Sequence, residues 1–147
     1  MSDYEAFTAN RVKHLEMIQS VVARLAGNSF LVKGWALTVA LALFGFAIDS
    51  KRPGLAIIGL LALIPFFALD AYFLQAERLF RVLYDEVRAP DSKVEPFFLG
   101  ATTDDFRKAM TQKGRDVSWQ VTTWRPTLLV FYGGLVIAGL FAANVAR

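Results

Sequence analysis

The chain has 147 residues, 55% of them hydrophobic, and a mean hydropathy of +0.41. That length suits one compact unit, and that hydropathy suits a small membrane protein better than a soluble domain. The formal net charge of +3 fits a basic membrane boundary and an anion binder equally well, whereas the lack of cysteine excludes disulfides, thiolate nucleophiles and Cys-based metal sites.

Residues 1–29 carry charges throughout and contain no apolar core of a signal peptide, so an internal span is expected to direct insertion. Val12, Leu15, Ile18, Val22 and Leu25 recur at three- and four-residue steps, which predicts an amphipathic cytoplasmic helix from Glu5 to Ala26. His14 falls on its polar side, where a lone histidine is an ordinary exposed residue. Gly27-Asn28-Ser29 predicts a kink or cap.

A helix needs about 20 mostly apolar residues to cross roughly 30 Å of hydrocarbon. Residues 30–48 form the first such stretch, with Lys33 near its start. Asp49-Ser50-Lys51-Arg52 is a tight turn, and Pro53 suits the first turn of the next helix. The second stretch is residues 53–74, uncharged until Asp70. It does not stop there. Leu69, Phe73, Ala76, Phe80, Leu83 and Val87 form a heptad seam, so the helix is expected to continue into the cytoplasm to residue 89. It would pack antiparallel on the N-terminal helix as a stalk, or present the seam to other copies.

Residues 90–126 form a cytoplasmic connection. Pro90 to Gly100 reads as irregular, with Phe97-Phe98-Leu99 docking on the stalk or the membrane surface. Thr102 or Thr103 caps a short helix from Asp104 to Lys113. Thr102 and Asp105 have capping-box spacing, and Gly114 is a natural stop. Val117 to Arg125 reads as an interfacial segment leading to Pro126. The third span is residues 127–146. Trp35, Tyr72, Trp119 and Trp124 lie near span ends as interfacial anchors. The fold expected is an all-α membrane protein, a single membrane domain over residues 1–147, with three transmembrane helices and a cytoplasmic antiparallel helical stalk.

Thirteen of the 16 Lys and Arg residues lie in the N-terminal segment and the long connection. The positive-inside rule therefore puts the N-terminus in the cytoplasm and the C-terminus in the periplasm of a bacterial inner membrane.

No serine-hydrolase elbow, zinc-protease motif, P-loop or dinucleotide fingerprint occurs. Asp85-Glu86 and Asp104-Asp105 are adjacent in sequence, so each pair splays about 100° apart on a helix. No catalytic, cofactor or metal site is expected. From Asp70 to Pro126 nine basic and nine acidic residues balance, which lacks the electrostatic footprint of a duplex nucleic-acid binder. Arg107, Lys108, Lys113 and Arg115 could contact lipid headgroups or a small phosphorylated ligand.

Charges beside a span are costly unless they pair, snorkel or face water. Lys33 and Asp70 are brought near each other by the hairpin. They form either a structural ion pair or, with Asn28, Glu77 and Arg78, the lining of a polar vestibule. On the third span Gly134, Ala138 and Ala142 are four apart and mark a helix-packing face, as do Gly139 and Ala143. Ala36 and Ala40 offer a weaker version on the first.

The runs Leu25-Ala-Gly-Asn-Ser-Phe-Leu-Val-Lys-Gly-Trp35 and Leu69-Asp-Ala-Tyr-Phe-Leu-Gln-Ala-Glu-Arg-Leu-Phe-Arg81 look like those of small bacterial membrane proteins. The layout over residues 5–89 resembles the SLATT-type effectors of nucleotide-signalled antiviral defence, although the third span departs from it. The resemblance implies a homo-oligomeric effector that compromises the inner membrane, and no catalytic residues. The partners expected are the lipid bilayer, further copies of the chain, and a soluble cytoplasmic protein or a small nucleotide signal. A membrane anchor that recruits a soluble partner through Phe97, Phe98 and the stalk is the alternative. An enzyme subunit or transporter component fits less well, because the spans hold few polar groups.

Overall fold

The computed structural model describes residues 3–90, 92–114 and 126–147. Among them it contains helices α1 (Asp3–Asp49), α2 (Pro53–Arg88), α3 (Asp104–Gln112) and α4 (Pro126–Val145), and no strand. Helices α1, α2 and α4 are each long and apolar enough to cross a membrane, so by length and composition the chain is a multi-pass membrane protein. The packing divides into two compact units. One joins Met1–Gly27 with Phe73–Trp119, the other Asn28–Tyr72 with Gln120–Arg147.

The first unit is held by an apolar core. Ile18 and Val22 of α1 meet Leu79, Phe80, Leu83 and Val87 of α2, and Ala101, Phe106 and Met110 close the third side. Full burial of each large side chain contributes about 1.5–3 kcal/mol. Because α1 and α2 are joined by residues 50–52, their packed stretches run antiparallel. The inward stripes differ in part from the periodic reading. Val12 is exposed, and His14, one turn before Ile18, is buried at 3% exposure. Leu69, the first member of the expected seam, is 44% exposed, and the buried face includes Leu79. An α-helix advances 3.6 residues per turn, so a strict 3.5-residue seam drifts off the contact line within a few turns.

Local chemistry closes the ends of this unit. Arg11 Nε donates to the Val87 carbonyl at 2.8 Å and Nη2 donates to that of Ala89, so a cation from α1 caps the C-terminus of α2. The N-cap of α3 is Thr103, whose hydroxyl accepts from the Phe106 amide at 3.4 Å; Asp104 and Asp105 place negative charge in its first turn. Gly114 follows at φ +73, which ends the helix at little cost. Phe98 and Leu99 pack against the core, while Phe97 stays exposed at φ +63.

The second unit carries the spans. Val32, Ala36, Ala40, Phe44 and Ala47 of α1 face inward, as do Ala56, Gly59 and Leu63 of α2. The inward line of α4 is Leu128, Tyr132, Leu135, Gly139 and Ala142, at steps of four and three. Of the residues expected to form its packing face, Ala142 is buried, Ala138 is half-buried and Gly134 is exposed. Gly139, of the second expected pair, marks the close approach: a Cβ there would lie 2.5 Å from Leu60 Cδ2 and 2.7 Å from Phe44 Cζ. Phe30, Trp35, Phe46, Val130, Ile137 and Phe141 point outward. Only 28%, 22% and 28% of the apolar windows of α1, α2 and α4 are buried, so most of each span is surfaced for an apolar solvent.

Helix α1 continues through Gly27-Asn28-Ser29 without a cap. A helical glycine costs about 1 kcal/mol relative to alanine. Ending a helix and starting another orphans several backbone groups at once, which costs more. Trp119, Trp124 and the segment 117–125 lie outside the described residues.

Gly139→Val is expected to lower stability in detergent by about 1–3 kcal/mol through overpacking, whereas Gly133→Val, where a Cβ meets nothing within 4 Å, should stay close to the parent. Equilibrium unfolding of both variants in mixed micelles checks this contrast.

Candidate functional site

The polar centre of the second unit is built on Asp70, whose side chain has 0% exposure, against 21% for that of Lys33. A lone carboxylate sealed in this way would be costly. Two side chains from α1 compensate. Lys33 Nζ lies 2.8 Å from Asp70 Oδ1 and 2.6 Å from Oδ2. Ser29 Oγ donates to Asp70 Oδ1 at 2.5 Å and accepts from Lys33 Nζ at 2.9 Å. Ser29 and Lys33 are four residues apart, one above the other on the same helix face, so α1 presents hydroxyl and ammonium together.

Helix α4 adds a third side. Tyr132 is buried edge-on against Phe67, with ring centroids 5.2 Å apart at 88°. Among the described residues the Tyr132 hydroxyl is sealed from solvent without a hydrogen bond, while Asp70 Oδ2, also sealed, has the Lys33 ammonium 2.6 Å away. One carboxylate of α2 is thus held by two side chains of α1. Chemically the cluster holds a carboxylate and an ammonium together in apolar surroundings.

The remaining expected site residues lie apart from this arrangement in kind. Asn28 is half-buried in the second unit. In the first unit Glu77 is paired with Arg81 one turn on, at 2.7 Å. Arg78 is half-buried, with Nη1 sealed and unbonded among the described residues. Of the basic group on the connection, Lys113 pairs with Glu86 and Arg107 lies 3.8 Å from Asp104. Lys108 is exposed, and Arg115 lies outside the described residues. With two of these cations already facing carboxylates, the group is a mixed-charge surface more than a concentrated anion site.

Three participants were not assigned to sites from sequence. Ser29 reads as a helix breaker there, yet its spacing to Lys33 is the legible signal. Tyr132 is a phenol inside an apolar span, which needs a polar neighbour. His14 reads as exposed and is instead buried, with Nε2 2.8 Å from the Phe98 carbonyl. Nothing in a helical period forecasts that, because the burying segment arrives from more than 80 residues away, at a separation of 84.

Comparison with family models, with curated proteins and with solved structures finds no match.

Removing one partner of a buried ion pair strands the other and typically costs about 3–5 kcal/mol, while replacing both with apolar residues is far milder. Asp70→Leu alone should therefore destabilise the chain strongly, and Lys33→Met together with Asp70→Leu should recover most of the loss. Denaturant titrations of the two single variants and the double in nanodiscs give the coupling; additive losses would mean that the pair contributes nothing jointly.

Proposed function

We propose that the chain is a non-enzymatic protein of the bacterial inner membrane that self-associates and, when triggered, compromises that membrane. Its N-terminus lies in the cytoplasm and its C-terminus in the periplasm, as the distribution of Lys and Arg favours. The first unit is the part that receives the trigger, and the second is the part that acts on the bilayer.

One observation carries this reading. Helices α1 and α2 each supply residues to both units as a single unbroken helix, of 47 and 36 residues. A ligand or partner that prefers one arrangement of the first unit thereby biases helices that also cross the membrane. The Lys33–Asp70 pair on those same two helices supports the reading, because an ionisable pair inside a span marks a functional position by default.

A second reading, an anchor that recruits a soluble protein, is favoured by Phe97. A bulky residue at φ +63 is uncommon, and here it displays an aromatic ring to solvent.

Induced expression in bacterial cells should collapse the membrane potential reported by a voltage-sensitive dye, and the protein extracted into nanodiscs should hold several copies per particle. An undisturbed potential at equal membrane levels, with one copy per particle, would sink the effector reading. The anchor reading then expects a soluble protein to co-purify and to be lost on Phe97→Ser.

A further inference from the structure

Beside the core of the first unit lies a cavity of about 110 Å³. Its polar wall is Asn10, Arg11, His14 and Ser92, and Val94 and Pro96 contribute apolar surface. One water occupies a share of about 30 Å³ in the liquid. The space therefore admits a carboxylate or phosphate group.

Among the described residues the charge in this wall is fixed in place but not neutralised. Arg11 spends Nε and one Nη2 hydrogen on the carbonyls of Val87 and Ala89. Those are dipoles, not full charges, and among the described residues no carboxylate lines the cavity or pairs with Arg11. The guanidinium has five N–H donors, so several remain for another acceptor.

His14 supplies the second group. It is buried, and its Nε2 meets the Phe98 carbonyl, which can only accept. Nε2 therefore carries a hydrogen and Nδ1 is the nitrogen left over, with no protein partner among the described residues. When the ring is cationic, Nδ1 donates as well. The neighbouring Phe97 is held at φ +63, with its ring centroid 6.1 Å from that of His14.

We infer that this cavity binds one small oxyanion group, a carboxylate or a phosphate, between Arg11 and His14. Both contacts are charge-assisted, and the amide of Asn10 and the hydroxyl of Ser92 add neutral donors. The hydrogen bond at Nδ1 needs one proton between ring and group, supplied by solvent or by the acid form of the group. The site is separate from the Lys33–Asp70 cluster, and it stands whether or not the spans act on the membrane.

His14 is the single histidine of the chain, so its ring nitrogens can be followed without assignment ambiguity. The full chain, labelled with ¹⁵N-histidine in nanodiscs, is titrated at constant ionic strength with inorganic phosphate, with acetate and with chloride. A saturable shift of Nδ1 with phosphate or acetate, absent with chloride, supports the site, and the stronger of the two names the anion class. Arg11→Gln should weaken that binding about 10- to 100-fold, the worth of a charge-assisted hydrogen bond. Since Arg11 also caps α2, Val94→Phe is the companion variant: it fills the cavity, leaves the cap in place and should abolish the shift. Lys108→Gln, on the exposed face of α3, should leave the titration unchanged. Equal response to chloride, a linear response, or binding that survives Val94→Phe would overturn the inference and leave the cavity to water.

Discussion

A backbone amide in hydrocarbon has no water to bond, and this constraint governs more of the structure than any side-chain contact. Each unsatisfied group costs several kcal/mol, so a chain that crosses lipid keeps its helices whole. Helix α1 runs through Gly27 and α2 runs through Pro65. Proline inside a helix costs about 3 kcal/mol, because it removes one hydrogen bond and crowds the preceding turn. Breaking the helix there would expose several groups in place of one. The same cost explains why Asp70, buried in the second unit, is met by Ser29 and Lys33, each lessening the cost of another.

The two units rely on different physics. The first buries Ile18, Leu79, Leu83 and Phe106 against one another, as a water-soluble helical domain does, and finishes its ends with Arg11 and Thr103. Its apolar side chains turn inward because water drives them there. The second has no such drive, since lipid is as apolar as leucine. Its contacts depend on shape, with Gly59 and Gly139 admitting Phe44 and Leu60 at close range, and on the Lys33–Asp70 pair. This difference also explains the outward faces. Phe30, Trp35 and Phe141 lose nothing by facing hydrocarbon.

The spans, the hairpin and the capped helix at Asp104 were legible in the sequence, because length, apolarity, turn residues and capping residues act locally. The proximity of Lys33 and Asp70 was legible too, since a short turn sets two helix positions side by side. What was hidden depends on neighbours distant in the chain. His14 is buried by a segment that follows α2, and Arg11 is drawn to carbonyls of Val87 and Ala89. The packing face of α4 was legible in part: of the small residues read as a helix contact, Gly139 and Ala142 are buried and Gly134 is exposed. In an all-apolar helix polarity gives no contrast between faces, and only the partner surface selects one.

The turn between α1 and α2 has a consequence for biosynthesis. Residues 50–52 are all that separates the helices, Lys51 sits at φ +53, and Arg52 is beside it. So short a link keeps the adjoining ends of the two apolar stretches together, so α1 and α2 enter a bilayer as one hairpin with both cations at its tip. Helix α4 is tethered by a far longer segment and is free of that obligation.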